Sequence, residues 1–205
     1  MKQFNLGLLS PAELLLPDLP KALQEANQSL LIPGKVEAVC IHESGHLVFF
    51  KKAGFKTVFR PPALKYSQTF KEFVPVFAAV GTPEINKDTV YDEELLDNLA
   101  RGGVAAAIFV DEFIANRKNY GLVSDALIIE LLQEREIVNN NDKETFRQFC
   151  DWAMRNGSGI EFDPLTPWSK AQKHVEAYMH SPEFKEERSA AIAEIRLECF
   201  GLDNF

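Results

Sequence analysis

Apolar positions recur with helical spacing along most of the chain, and the most continuous apolar run covers residues 36–53. That run has no proline and reads as one largely buried helix. Gly54 is placed to end it, with Lys51 and Lys52 in the last turn, where the helix dipole favours cations. Upstream, residues 1–35 form a lead-in punctuated by Pro11, Pro17 and Pro20, with helical spacing at 21–31 and a turn at Pro33-Gly34. Residues 55–60 read as a strand closed by Pro61-Pro62. Residues 73–80 read as a second strand whose first half Pro75 demotes to an edge. A small hairpin or ribbon beside the 36–53 helix follows from this pair.

Residues 81–90 are a polar loop. Residues 91–100 start a helix with Asp92, Glu93 and Glu94 in its first turn. The stretch 99–110 is rich in glycine and alanine and is expected to press closely against the 36–53 helix. After a turn at 116–121, Ser124-Asp125 opens a helix running to Glu136. Asn139-Asn140-Asn141-Asp142 reads as a break that can cap the next helix, 144–156. A loop at 156–167 leads to helices at 167–180 and 181–199, the last opened by Ser181-Pro182-Glu183 with proline at its first position. The pattern predicts a mainly α fold with one small β hairpin.

The length, 205 residues, allows one substantial core. Hydrophobic residues at 46% and charged residues at 25% fit an ordinary globular chain. The net charge of -8 argues against a nucleic-acid partner, which would want a basic face. No apolar run reaches bilayer length, and residues 1–5 lack a signal-peptide pattern, so the expectation is a cytoplasmic protein without a membrane partner. Cys40, Cys150 and Cys199 form no close pair and fit small buried thiols in a reducing compartment.

Within the 36–53 helix stands His42-Glu43-Ser44-Gly45-His46. Side chains four apart share a helix face, so both imidazoles can address one ion. Glu43 lies about 100° around the axis, beside such an ion, suited to act as a base on water there. The same spacing arises by chance on helices. Here, however, Val39, Cys40 and Ile41 precede it and Leu47, Val48, Phe49 and Phe50 follow it. Burying two histidines and a glutamate among these is costly without a metal to bind them. Gly45 costs about 1 kcal/mol against alanine inside a helix, which points to a close backbone approach. A catalytic zinc takes three protein ligands and keeps one open position. Phe49 and Lys52 stand where one zinc-hydrolase class has glycine and a third histidine, so that class is excluded. Glu112, Glu130, His174 and His180 are further donors with no telling context.

The stretch 39–50 resembles the H-E-[AS]-G-H helix of the peptidase domain of the FtsH-type AAA+ zinc proteases, peptidase family M41. Leu99-Ala100-Arg101-Gly102-Gly103-Val104-Ala105-Ala106 is similar to that family's G-G-x-A-A helix. Gly121-Leu122-Val123-Ser124-Asp125-Ala126-Leu127 is similar to its S-x-D or S-D helix start. The resemblance spans about half the chain and makes Asp125 the third zinc ligand beside His42 and His46. It implies a zincin-like helical peptidase domain across 1–205, with its metal-site core at 36–137 and a helical C-terminal part at 138–205. The family's ATPase module and membrane helices have no counterpart here, and Ala107 and Ile108 replace an acidic pair.

The activity so implied is that of a zinc metallopeptidase with Glu43 as general base. It is expected to act on peptides or unfolded chains without a motor of its own, and the resemblance leaves room for a homo-oligomer. The alternatives are a non-catalytic, metal-stabilised interaction module and a metallohydrolase of a non-peptide substrate.

Overall fold

The computed structural model describes residues 33–67, 72–76, 78–116, 124–156 and 165–201. Helix α1 spans Pro33–Lys52, α2 Glu93–Ala115, α3 Asp125–Arg155, α4 Leu165–Tyr178 and α5 Phe184–Phe200. Strands β1 Val58–Arg60, β2 Ala63–Ser67, β3 Glu72–Val76 and β4 Ala79–Gly81 lie between α1 and α2. The chain is mainly helical with a small antiparallel element, as the pattern predicts. The lead-in at 1–32 and its periodic stretch lie outside the described residues. Among the described residues, no helix is long and apolar enough to cross a membrane.

Helix α1 is central. Every residue from 38 to 50 is buried, so the helix has no solvent face, as expected when it is apolar all round. It packs against α2, α3, α5 and β4. Gly54, at φ 76°, closes it, with Phe55 N–H bonding back to the Phe50 carbonyl at 2.9 Å. Pro33 opens the helix instead of marking a turn before it, which suits a residue with no N–H to leave unpaired.

Helices α1 and α2 meet with almost no side chain between them. A Cβ on Gly45 would lie 2.4 Å from the Ala106 nitrogen and 2.6 Å from the Ala105 oxygen. One on Gly102 would lie 2.1 Å from the Phe50 ring. Gly102, Ala105 and Ala106 of α2 therefore face the histidine helix, as the composition implied, while Gly103 faces Trp168 of α4.

The ribbon is a single hairpin, interrupted once. β2 pairs with β3 from Ala63↔Val76 to Ser67↔Glu72, and β1 pairs with β4 from Val58↔Gly81 to Arg60↔Ala79. Both ladders keep one register. The interruption falls at Pro61-Pro62, which have no N–H to donate. Pro75 is tolerated in β3 because each strand of a two-stranded ladder has a free edge.

The predicted break at residues 139–142 does not occur. α3 runs through it for 31 residues, capped at Ser124, whose hydroxyl accepts from Leu127 N–H at 3.2 Å. Three asparagines each cost about half a kcal/mol in a helix interior. Packing at both ends outweighs that penalty. Leu127 and Leu131 sit in a cluster with Ile41, Val110 and Phe113, while Phe146 and Cys150 sit in the main core. Glu183, not Ser181, precedes α5, and it makes no side-chain cap.

α5 is tied to its neighbours by ion pairs: Lys51 to Glu194, Lys52 to Glu187 at 2.8 Å, Arg196 to Glu37, and the buried Arg188 to Glu112. Cys40, Cys150 and Cys199 are buried free thiols. Burial pushes them up to about 12, 11 and 12 respectively, so they behave as apolar groups.

Gly45→Ala should destabilise the fold by about 3 kcal/mol, the upper end for overpacking. Adding Ala106→Gly should not rescue it, because the clash is with backbone atoms. Urea unfolding of the parent, single and double variants checks this.

Candidate metal centre

α1 carries His42, Glu43 and His46 into the interior, and all three are buried. His46 Nδ1 lies 3.0 Å from the carbonyl oxygen of Gly102. With the proton on Nδ1, that nitrogen donates to the carbonyl and leaves the Nε2 lone pair facing the opposite way. The close crossing of α1 and α2 is what brings this carbonyl within reach.

The third donor is Asp142, from the middle of α3. His42 Nε2 lies 3.4 Å from its Oδ2, and His46 Nε2 lies 3.5 Å from its Oδ1. His42, His46 and Asp142 offer donor atoms all within 4.8 Å of one another, and this group could hold a metal ion. Three facts fit that role. Both imidazole nitrogens lie close enough to the carboxylate for one ion to meet all three side chains. His42 Nε2 and Asp142 Oδ2 are buried atoms with no hydrogen-bond partner, a cost that coordination removes. The Gly102 carbonyl supplies the outer contact that metal-ligating histidines commonly have.

Asp125 is not in the group. It is exposed, at the first turn of α3, and seventeen residues before Asp142, about 25 Å away along the helix axis. The reading that made it the third ligand is corrected on this point. The 36–137 boundary also falls inside α3, and the carboxylate of the site comes from beyond it. Glu112 is engaged by Arg188. His174 packs its ring against Phe49, with centroids 6.3 Å apart.

A signal for Asp142 was present in the sequence. It falls in phase with Leu131, Phe146, Cys150 and Ala153, an acidic residue on an apolar helical stripe. Reading the asparagine run as a break hid that continuity.

Glu43 stands beside the group. Its Oε2 accepts the N–H of Val80 in β4 at 2.8 Å, and its Oε1 lies 4.0 Å from His42 Nε2. One oxygen is thus anchored to the ribbon while the other faces the donors. The four residues open onto a cavity of about 440 Å³ whose walls include Phe50, Arg60, Phe146, Phe149 and Trp152.

Burial works against a charge on His46, but the Asp142 carboxylate, Glu43 and the Gly102 carbonyl outweigh it and push His46 up from 6.5 to about 9. Burial likewise opposes the charge on Asp142. The charge on His46 and the contacts of both imidazoles hold its carboxyl well below the usual range. Without metal, the His46–Asp142 pair therefore stabilises the fold fully below the ordinary histidine value. That contribution is lost as pH rises through about 9. At the acid end it is lost as pH falls below the ordinary carboxylate range.

No protein-family model matches the chain, and neither does any curated protein or solved structure.

Asp142→Asn should weaken divalent-metal binding by more than about a hundredfold, whereas Asp125→Asn should change it by less than about twofold. Competition with a chromogenic chelator, using Zn²⁺ as the probe, measures both. Because a metal must displace the His46 proton, affinity for the parent should rise about tenfold per pH unit from neutrality and level off near pH 9. Titrations in a pH series read that slope.

Proposed function

We propose that this chain is a zinc-dependent hydrolase of peptide bonds. His42, His46 and Asp142 hold the ion, and Glu43 is the general base. The observation that carries this reading is the pairing of an orphaned donor set with a buried carboxylate fixed beside it by Val80 N–H. Two imidazoles, one carboxylate and a neighbouring open cavity suit a catalytic zinc, which keeps a position for substrate or water. When bound, zinc supplies Lewis acidity, making a water acidic near neutrality and polarising a carbonyl.

The chain's own residues supply the proton handling. Glu43 Oε1 takes a proton from the attacking water while Oε2 stays on Val80 N–H, so the carboxylate cannot rotate away. The water oxygen bonds to the substrate carbonyl carbon and the C–N bond breaks. The proton held on Glu43 passes to the leaving amine. Water's oxygen ends in the new carboxyl group and its protons are shared between the products.

Two features support kinship with the M41 peptidase domain: the H-E-x-G-H helix and the glycine-alanine helix pressed against it. The ligand set departs from that family at the carboxylate, which here comes from Asp142. A cavity of about 440 Å³ is at the small end of ligand sites and suits short peptides or unfolded segments. An interaction module that only needed metal for stability would have no use for Glu43, whose buried carboxylate touches none of the three donor residues at hydrogen-bond distance.

Glu43→Gln should bind Zn²⁺ as the parent does and lower cleavage of a quenched fluorescent peptide by about a thousandfold. Equal cleavage by the two proteins would remove Glu43 from the role. Loss of parent activity in a chelator and its return with Zn²⁺ would assign the activity to the metal.

A further inference from the structure

The cavity that opens from the metal centre is lined by a cation that has no counter-charge among the described residues. Arg60 ends β1, is exposed to the cavity mouth, and is the one lysine or arginine among the described residues that line it. Among the described residues its guanidinium meets no carboxylate, whereas Lys51, Lys52, Lys170, Arg188 and Arg196 are each ion-paired. Its side chain runs across the strand pair toward Gly81, where a Cβ would lie 3.5 Å from Nη2. Arg60 pairs with Ala79 in register, one residue from Val80, whose N–H holds Glu43. The guanidinium and the base are therefore mounted on the same short ladder.

Charge balance sharpens the point. A divalent ion in the donor set is offset by Asp142 and Glu43, the two carboxylates lining the cavity. Among the described lining residues Arg60 then remains as the uncompensated charge, and a ligand filling the cavity is favoured if it brings an anion. The fork of a guanidinium fits a carboxylate through two parallel hydrogen bonds.

One side of the remaining wall is aromatic and directional. Phe146, Phe149 and Trp152 follow Asp142 on successive turns of α3, and Phe149 and Trp152 pack with centroids 5.7 Å apart. They extend about 15 Å along the axis from the metal carboxylate. Such a surface receives an apolar or aromatic side chain.

Building on the hydrolase reading, we propose that the cavity selects short peptides by their free C-terminal carboxylate. Arg60 pairs with that carboxylate and the α3 aromatic wall takes an apolar side chain near it. The substrate class is then that of a carboxypeptidase or dipeptidase, not internal segments of a long chain.

The test is binding. The Glu43→Gln protein, loaded with Zn²⁺, is titrated by calorimetry with N-acetyl-Ala-Phe as the free acid and as its C-terminal amide. The acid should bind at least about tenfold tighter than the amide. Adding Arg60→Ala should bring the acid down to the amide's affinity, and Arg60→Lys should restore part of the gap. Circular dichroism and Zn²⁺ stoichiometry of the Arg60 variants should match those of the Glu43→Gln protein, since this side chain is exposed.

Equal affinities for acid and amide, a gap that survives Arg60→Ala, or no binding of either peptide would overturn the proposal. Turnover by the parent separates it from the hydrolase reading. An Arg60-dependent gap with no cleavage keeps the carboxylate site and removes the hydrolase. Cleavage with no gap does the reverse.

Discussion

The contact between two helix backbones, at Gly45 on α1 and Ala105–Ala106 on α2, is the constraint on which the site depends. A side chain on Gly45 would occupy the space of the neighbouring backbone, so the two helices meet there backbone to backbone. One consequence is structural: the α1 face opposite its other neighbours is sealed by backbone. The other is chemical. Only at this separation does the Gly102 carbonyl reach His46 Nδ1 and fix which nitrogen is left for a ligand. A helical glycine costs about 1 kcal/mol against alanine, and here that cost is offset by dense packing and by an oriented imidazole.

From this crossing the other parts take their positions. α1 packs against α2, α3, α5 and the ribbon, and its His42–Glu43–His46 side opens to a cavity. α3 runs along that opening from Asp142 to Trp152, with its two halves held in separate apolar clusters. The ribbon passes it at Val80, where a backbone N–H takes one oxygen of Glu43. To the three polar side chains of α1, α2 adds the Gly102 carbonyl, α3 adds Asp142 and the ribbon adds Val80 N–H. Each of those groups costs free energy to bury alone. His42, His46 and Asp142 form a group that could hold a metal ion, and its two atoms without a hydrogen-bond partner, His42 Nε2 and Asp142 Oδ2, lie 3.4 Å apart.

Much of this was legible in the chain itself. The α1 run, its glycine terminus and its paired histidines follow from local spacing, because helix geometry alone sets which side chains share a face. The close approach at Gly45 was signalled by a residue that otherwise weakens a helix, and its partner by the glycine-alanine content of residues 99–110. The ribbon was anticipated beside α1, although β2 was not, since Pro61-Pro62 read as an end when they only interrupt one register. The asparagine run was misread for an energetic reason. Local propensity favours a break there, and only the packing of Leu127, Leu131, Phe146 and Cys150 on either side keeps the helix intact.

The sequence by itself determined the two imidazoles, the glutamate beside them and the close helix crossing, since each rests on residues within one or two turns of each other or on side-chain size. The tertiary structure alone decided which carboxylate completes the group. Asp125 and Asp142 lie on the same helix, and both are acidic. What separates them is about 25 Å of helix and the path α3 takes past α1, which is fixed by apolar contacts a hundred residues apart in the chain. The partner of Glu43 was decided the same way, because a backbone N–H carries no sequence signature and becomes a ligand only where the fold delivers it.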